Sequence, residues 1–76
     1  MSRLAIIDFR SFEKILYRLG FTRTRQKGSH VIYHHEDGRT VSVPNHKGKD
    51  ISRPLLHSLL KDIDITVDDY NNLIKS

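Results

Sequence analysis

Asp37-Gly38 lies between two short β-prone runs, Val31 to His35 (VIYHH) and Arg39 to Val43 (RTVSV). Both residues tolerate positive φ, which a tight two-residue hairpin turn requires. No other feature limits the fold so strongly, because it commits the middle of the chain to an antiparallel sheet. With a two-residue turn, Glu36 pairs with Arg39, Ile32 with Val43 and His30 with Asn45. Ile32, Val41 and Val43 then share one face, the expected core face, and Tyr33 points the other way. In that register His35 neighbours Thr40, and His46 comes near His30.

The flanking segments supply the cover for such a sheet. Phe9, Phe12, Leu16 and Leu19 recur at helical spacing with Ile15 beside them, which predicts a helix over 9–19, capped by Asp8 and stopped by Gly20. Phe21 to Lys27 (FTRTRQK) alternates, with Phe21, Arg23, Arg25 and Lys27 on one side and Thr22, Thr24 and Gln26 on the other. It reads as a polar edge strand, where charge also discourages edge-to-edge association. Pro44 ends the sheet ladder. Ser52 caps a second helix with Pro54 in its first turn and Leu55, Leu56, Leu59, Leu60 and Ile63 on its buried face. Thr66-Val67-Asp68-Asp69 opens a short last helix with Val67, Tyr70 and Ile74 on one side. The expected fold is α+β: one three-stranded antiparallel sheet with helices on one face, in the order α-β-β-β-α-α.

At 76 residues this is one domain, spanning 1–76, near the lower size limit for a single core. The absence of cysteine excludes disulfides and thiolate metal sites. Apolar runs such as Leu55-Leu56 are too short to cross a bilayer, and the first ten residues lack a signal-peptide core. A cytoplasmic protein is expected.

The net charge of +4 is unevenly spread. Residues 18–53 hold eight basic and three acidic side chains, whereas 54–76 hold two basic and four acidic ones. The basic stretch also contains His30, His34, His35 and His46, four of the five histidines, so it is a candidate anion-binding face rather than only a solvated surface. Metal is not expected: adjacent His34 and His35 point to opposite faces of a strand.

The stretch Gln26-Lys27-Gly28-Ser29-His30 (QKGSH) concentrates the chemistry. His30 can exchange protons at working pH. Gly28 permits close backbone approach or positive φ, and Ser29 with nearby amides can donate to phosphate. Arg23, Arg25 and Lys27 precede it; Lys47 and Lys49 follow in the loop after the hairpin. A proton-transfer group amid phosphate-binding charge is the minimum needed to cleave RNA: the 2′-hydroxyl attacks phosphorus, a base takes its proton, and cations stabilise the equatorial oxygens. From spacing alone, a single histidine at a strand start is more often an ordinary surface residue. His46 is a candidate second proton-transfer or phosphate-contact group. Tyr17 and Tyr33 could stack on bases, although ordinary packing is the commoner fate of such residues.

Three ordered motifs make the pattern specific: Arg25-Gln26-Lys27-Gly28-Ser29-His30, then Asp37-Gly38-Arg39, then Ser42-Val43-Pro44-Asn45-His46-Lys47-Gly48. Together they resemble the HicA (YcfA-like) toxins, small prokaryotic mRNA interferases. The likeness extends from FEKILYRLGF to ITVDDYNNLI, although the second helix departs from many relatives in opening SRPLL and closing KDIDI. The resemblance implies a fold like double-stranded-RNA-binding domains. It implies an mRNA-directed endoribonuclease of a type II toxin–antitoxin pair, with the essential histidine at His30; the acid–base chemistry itself calls for no metal or other cofactor. It also implies a HicB-type antitoxin partner, with DNA contacted only through that complex if at all. Lys27, Gly28 and Ser29 would position phosphate; Arg23, Arg25, His46, Lys47 and Lys49 would draw in RNA. Two rivals are a non-catalytic module binding double-stranded RNA by shape and a purely protein-binding domain. A DNA-reading helix-turn-helix is not visible, since the second helix is leucine-rich and the last is acidic.

Overall fold

The computed structural model describes residues 3–46 and 48–75. The elements run α1 (Phe9–Arg18), β1 (Thr22–Lys27), β2 (His30–His34), β3 (Thr40–Pro44), α2 (Arg53–Asp62) and α3 (Val67–Lys75). The strands form one antiparallel sheet in the order β1-β2-β3, the α+β arrangement expected from the sequence. Burial alternates along β2 and β3, so the helices cover one face of the sheet and leave the other open.

Local chemistry sets the helix boundaries. The Asp8 carboxylate accepts the Ser11 N–H at 3.0 Å and caps α1, and Gly20 leaves it at φ +97°. Ser52 Oγ caps α2 by accepting the Leu55 N–H, with Pro54 in the first turn. Thr66 Oγ1 accepts the Asp69 N–H at the start of α3. The core joins Phe12, Ile15 and Leu16 of α1, Val31 and Tyr33 of β2, Val41 and Val43 of β3, Leu56, Leu59 and Leu60 of α2, and Tyr70 of α3. Tyr70 donates to the Ala5 carbonyl at 2.6 Å, and burial pushes its phenol pKa up to about 12. In α3 it is Leu73 that packs on the core, while Ile74 stays exposed.

The sheet differs from expectation in two places, each for a definite reason. The β2–β3 loop has three residues rather than two: His35 N–H donates to Arg39 O, Gly38 N–H donates to His35 O, and Gly38 adopts φ +102°. This is a tight turn followed by a glycine bulge, the usual three-residue hairpin. One extra loop residue slips the register by one, which turns β2 over against β3, while Val41 and Val43 keep the core face expected of them. His30 therefore faces Pro44, Ile32 faces Ser42 and His34 faces Thr40. Val31 and Tyr33 enter the core, and Ile32 lies on the open face. Tyr33 is fully buried and so cannot stack on a base, and Thr40 is the neighbour of His34 rather than His35.

The second difference is in β1. Thr24 is an extra residue between Arg23, which pairs with Tyr33, and Arg25, which pairs with Ile32. Its Oγ1 donates to the Ile32 carbonyl at 3.1 Å. This bulge separates Arg23 from Arg25 and Lys27, which the uninterrupted alternation had placed together.

Candidate functional site

Lys27 pairs with His30, leaving Gly28 and Ser29 as a two-residue hairpin turn. Gly28 has φ +61°, and Ser29 is not among the residues with positive φ. Glycine at the first central position is the type II′ signature, which matches the right-handed twist of paired strands. A Cβ on Gly28 would meet nothing within 4 Å, so the glycine is needed for its backbone conformation and not for space.

This turn puts His30 first on β2, on the sheet face away from the helices. Lys27 stands beside it on β1 and Pro44 on β3. The next row holds Arg25, Ile32 and Ser42; the last holds Thr22, His34 and Thr40. Directly opposed side chains lie about 5 Å apart at Cβ. His30, Lys27 and Arg25 are all exposed. One imidazole and two cations thus share an open surface at the end of a hairpin. This is a geometry able to hold a phosphate beside a proton-transfer group.

The helix side of the same hairpin is a network of polar contacts. The buried Tyr33 hydroxyl donates to Glu13 Oε2 on α1. Burial first, then this bond, raises the Tyr33 pKa far above that of an ordinary phenol. Arg23 Nη1 lies 3.6 Å from the same Glu13 oxygen, and Arg23 Nη2 donates to Gln26 Oε1 at 2.6 Å. Gln26 Nε2 then donates to the Gly28 carbonyl at 2.9 Å. Hydrogen bonds and one ion pair thereby connect the turn carrying His30 to the core.

Glu13 and Arg23 also line a groove of about 390 Å³ with Asp8, Phe9, Arg10, Asn45, His46, Gly48 and Lys49. Two backbone contacts bring its walls together. Asn45 N–H donates to Ser29 O at 2.7 Å, joining the loop after β3 to the hairpin turn. Ile51 N–H donates to Ile7 O at 2.9 Å, and Asp8 bridges Asp50, pinning the far end of that loop to the start of α1.

The sequence-derived site residues therefore fall into two groups. Arg25, Lys27 and His30 share the open face, with Gly28 and Ser29 as the turn beside them. Arg23, His46 and Lys49 line the groove on the helix side. The register puts Pro44, not Asn45, opposite His30, so His46 lies two residues past the strand partner. Lys47 lies outside the described residues. Sequence reasoning missed Glu13, Gln26, Arg10 and Asn45. Gly-Ser between two β-prone runs is itself a hairpin signal, and reading it would have located the turn.

The other histidines of the sheet have local roles. His35 Nε2 lies 3.1 Å from the Leu19 carbonyl, which can only accept, so Nε2 carries the proton and Nδ1 accepts the Asp37 N–H at 3.1 Å. Asp37 Oδ1 is equally close to Nδ1, at 3.1 Å. The ring packs edge-on against Phe21 with centroids 5.1 Å apart. His34 Nδ1 lies 3.2 Å from Thr40 Oγ1. Among the described residues, no three His, Cys, Asp or Glu side chains are grouped to hold a metal ion, and no helix is long and apolar enough to cross a membrane.

A family model described as the HicA toxin of bacterial toxin–antitoxin systems matches residues 9–65 of the 76-residue chain. No curated protein matches.

Proposed function

The chain belongs to the HicA toxin family of bacterial toxin–antitoxin systems, and from that premise we propose that it is an mRNA endoribonuclease acting through His30. The observation that carries this reading is the pairing of Lys27 with His30 across the Gly28–Ser29 turn, on an exposed sheet face. A phosphodiester docked there meets an imidazole and an ammonium group together. His30 accepts the proton of the 2′-hydroxyl as its oxygen attacks phosphorus. Lys27 and the turn residues Gly28 and Ser29 hold the phosphate, while Arg25 and the loop cations Lys47 and Lys49 attract the strand. The new bond from the 2′-oxygen closes a 2′,3′-cyclic phosphate. The bond to the 5′-oxygen breaks, and that oxygen leaves after gaining a proton. A single imidazole cannot give and take both protons at once, so the second transfer falls to water; His46 lines the groove on the other side of the sheet. None of these steps calls for a metal.

The toxin's partner is an antitoxin of the HicB type, which neutralises it by covering this basic face; charge complementarity favours a negatively charged contact surface. Toxin, antitoxin and mRNA would meet in the cytoplasm.

The test is to incubate the purified chain with an RNA oligonucleotide and its 2′-deoxy counterpart in EDTA. The reading expects cut RNA with 2′,3′-cyclic phosphate and 5′-hydroxyl ends, and intact DNA. RNA that is bound but never cut would return the chain to the class of shape-reading RNA-binding modules. Ends carrying a 5′-phosphate would mean that water attacks, and His30 would need another role.

A further inference from the structure

The groove beneath the hairpin turn differs chemically from the open face. We propose that it is a subsite for one ribonucleotide unit of the RNA, next to the cleaved bond, and that it sets which base is preferred there. The proposal rests on the ribonuclease reading only in naming RNA as the ligand. The groove itself is defined by its own residues.

Its size suits one nucleotide. About 390 Å³ is at the lower end of the roughly 300–1,000 Å³ typical of small-ligand sites. Its charges favour an anion despite two carboxylates in the wall, because three cations, Arg10, Arg23 and Lys49, stand against Asp8 and Glu13. Asp8 is tied to the first turn of α1, where the Ser11 side-chain and backbone contacts hold its carboxyl below the usual range. Glu13 accepts the Tyr33 hydroxyl and faces Arg23. Arg10 and Lys49 form no ion pair among the described residues, and His46 lines the groove with them. Positive charge is what remains for an incoming phosphate.

The remaining lining is suited to a base. Phe9 gives a half-buried aromatic surface, of the kind on which single-stranded bases stack. The Asn45 side-chain amide offers a donor and an acceptor side by side, a pairing that fits a base edge. The backbone of Asn45 is already fixed by its bond to Ser29 O, so the amide is presented from a defined point. That same bond sets the groove directly against the turn carrying His30. An RNA strand bent over the end of the hairpin would meet His30 on one side of the sheet and the groove on the other.

The proposal is tested on the wild-type chain by titrating AMP, GMP, CMP, UMP, ribose 5-phosphate and inorganic phosphate while following backbone amides by NMR. The expected result is shifts centred on residues 8–10 and on Asn45, His46, Gly48 and Lys49, with one mononucleotide bound about tenfold more tightly than the weakest. Asn45→Ala should level that preference, and Lys49→Ala should weaken all four nucleotides alike. The cleavage pattern of a mixed-sequence RNA should lose its preference at one flanking position in Asn45→Ala. Inorganic phosphate causing the same shifts as strongly as any nucleotide would overturn the proposal, leaving an anion site only. Cleavage that depends on His30 but keeps its base preference in Asn45→Ala would also overturn it, while sparing the ribonuclease reading. Base-selective nucleotide binding in the groove by a chain that cuts no RNA would support the subsite and sink the ribonuclease.

Discussion

The two hairpins of the sheet each carry a histidine, and they use it in opposite ways. At the β2–β3 loop, His35 has both ring nitrogens occupied, one by the Leu19 carbonyl and one by the Asp37 N–H. Its ring packs edge-on against Phe21, and the Arg39 guanidinium stacks over that same Phe21 ring while donating to Ile63 O. At the β1–β2 turn, His30 is exposed and its imidazole has no hydrogen-bond partner among the described residues. A ring with both nitrogens engaged serves as a strut. A ring with both free, standing beside a lysine, is available for proton transfer. Histidine content alone does not separate these roles; the partner of each nitrogen does.

Removing the strut should have the largest effect on folding. His35→Ala leaves the Leu19 carbonyl and the Asp37 N–H without their partner and opens space beside Phe21. A loss of about 1–3 kcal/mol in urea unfolding is expected, with cleavage per folded molecule retained. Lost catalysis at full stability would break the comparison.

At the other hairpin the turn geometry can be challenged directly. Gly28→Ala forces an L residue to φ +61°, costing about 1–2 kcal/mol, although there is room for the methyl group. Equilibrium unfolding measures this, and unchanged stability would mean that the turn adopts another type.

A smaller effect is expected from the polar contacts beneath the turn. Gln26→Ala removes the bond to the Gly28 carbonyl and frees Arg23 on one side. Its cleavage rate should fall roughly tenfold through misplacement of His30, with RNA affinity little changed. Because Gln26 acts through the turn, Gln26→Glu, which keeps an acceptor for Arg23 but not the donor to Gly28, should behave like the alanine variant. An equal fall in affinity would make Gln26 a binding group instead.

The smallest effect is electrostatic. The Arg39 backbone N–H, more than its guanidinium, holds the exposed Asp37 carboxyl below its ordinary value. A carboxyl with a depressed folded-state pKa contributes stability above its unfolded value, near 3.8, and loses it as pH falls through the folded value. Asp8 behaves in the same way at the α1 cap. Melting temperature should therefore drop below about pH 4, slightly less so in Asp37→Asn. Identical acid profiles for the two proteins would remove Asp37 from the account.

Much of this was readable from the sequence. The stripe Phe12, Ile15, Leu16 and the caps Asp8, Ser52 and Thr66 needed only periodicity and local hydrogen bonding, and they lie where expected. Val41 and Val43 of β3 face the core as expected, but the faces of β1 and β2 were not readable in the same way. Asp37-Gly38 announces a hairpin but not the length of its loop, and one added residue moved Tyr33 from the open face into the core. At the Thr24 bulge the hydroxyl meets a carbonyl on the neighbouring strand, eight residues away, a contact that alternation cannot reveal. Hence alternation groups Arg23 with Arg25 and Lys27, whereas it lines the groove. His30 stands out in the sequence for a different reason: QKGSH followed by DGR and SVPNHKG is specific as an ordered set, whatever register the strands adopt.

The difference between the two histidines is tested most directly by single-turnover RNA cleavage with His30→Ala beside wild type, with RNA affinity and melting temperature measured on the same samples. The account predicts a loss of at least about 100-fold in the cleavage rate, with affinity and melting temperature nearly unchanged. Cleavage at close to the wild-type rate, or a loss that merely tracks weaker binding or unfolding, would contradict it.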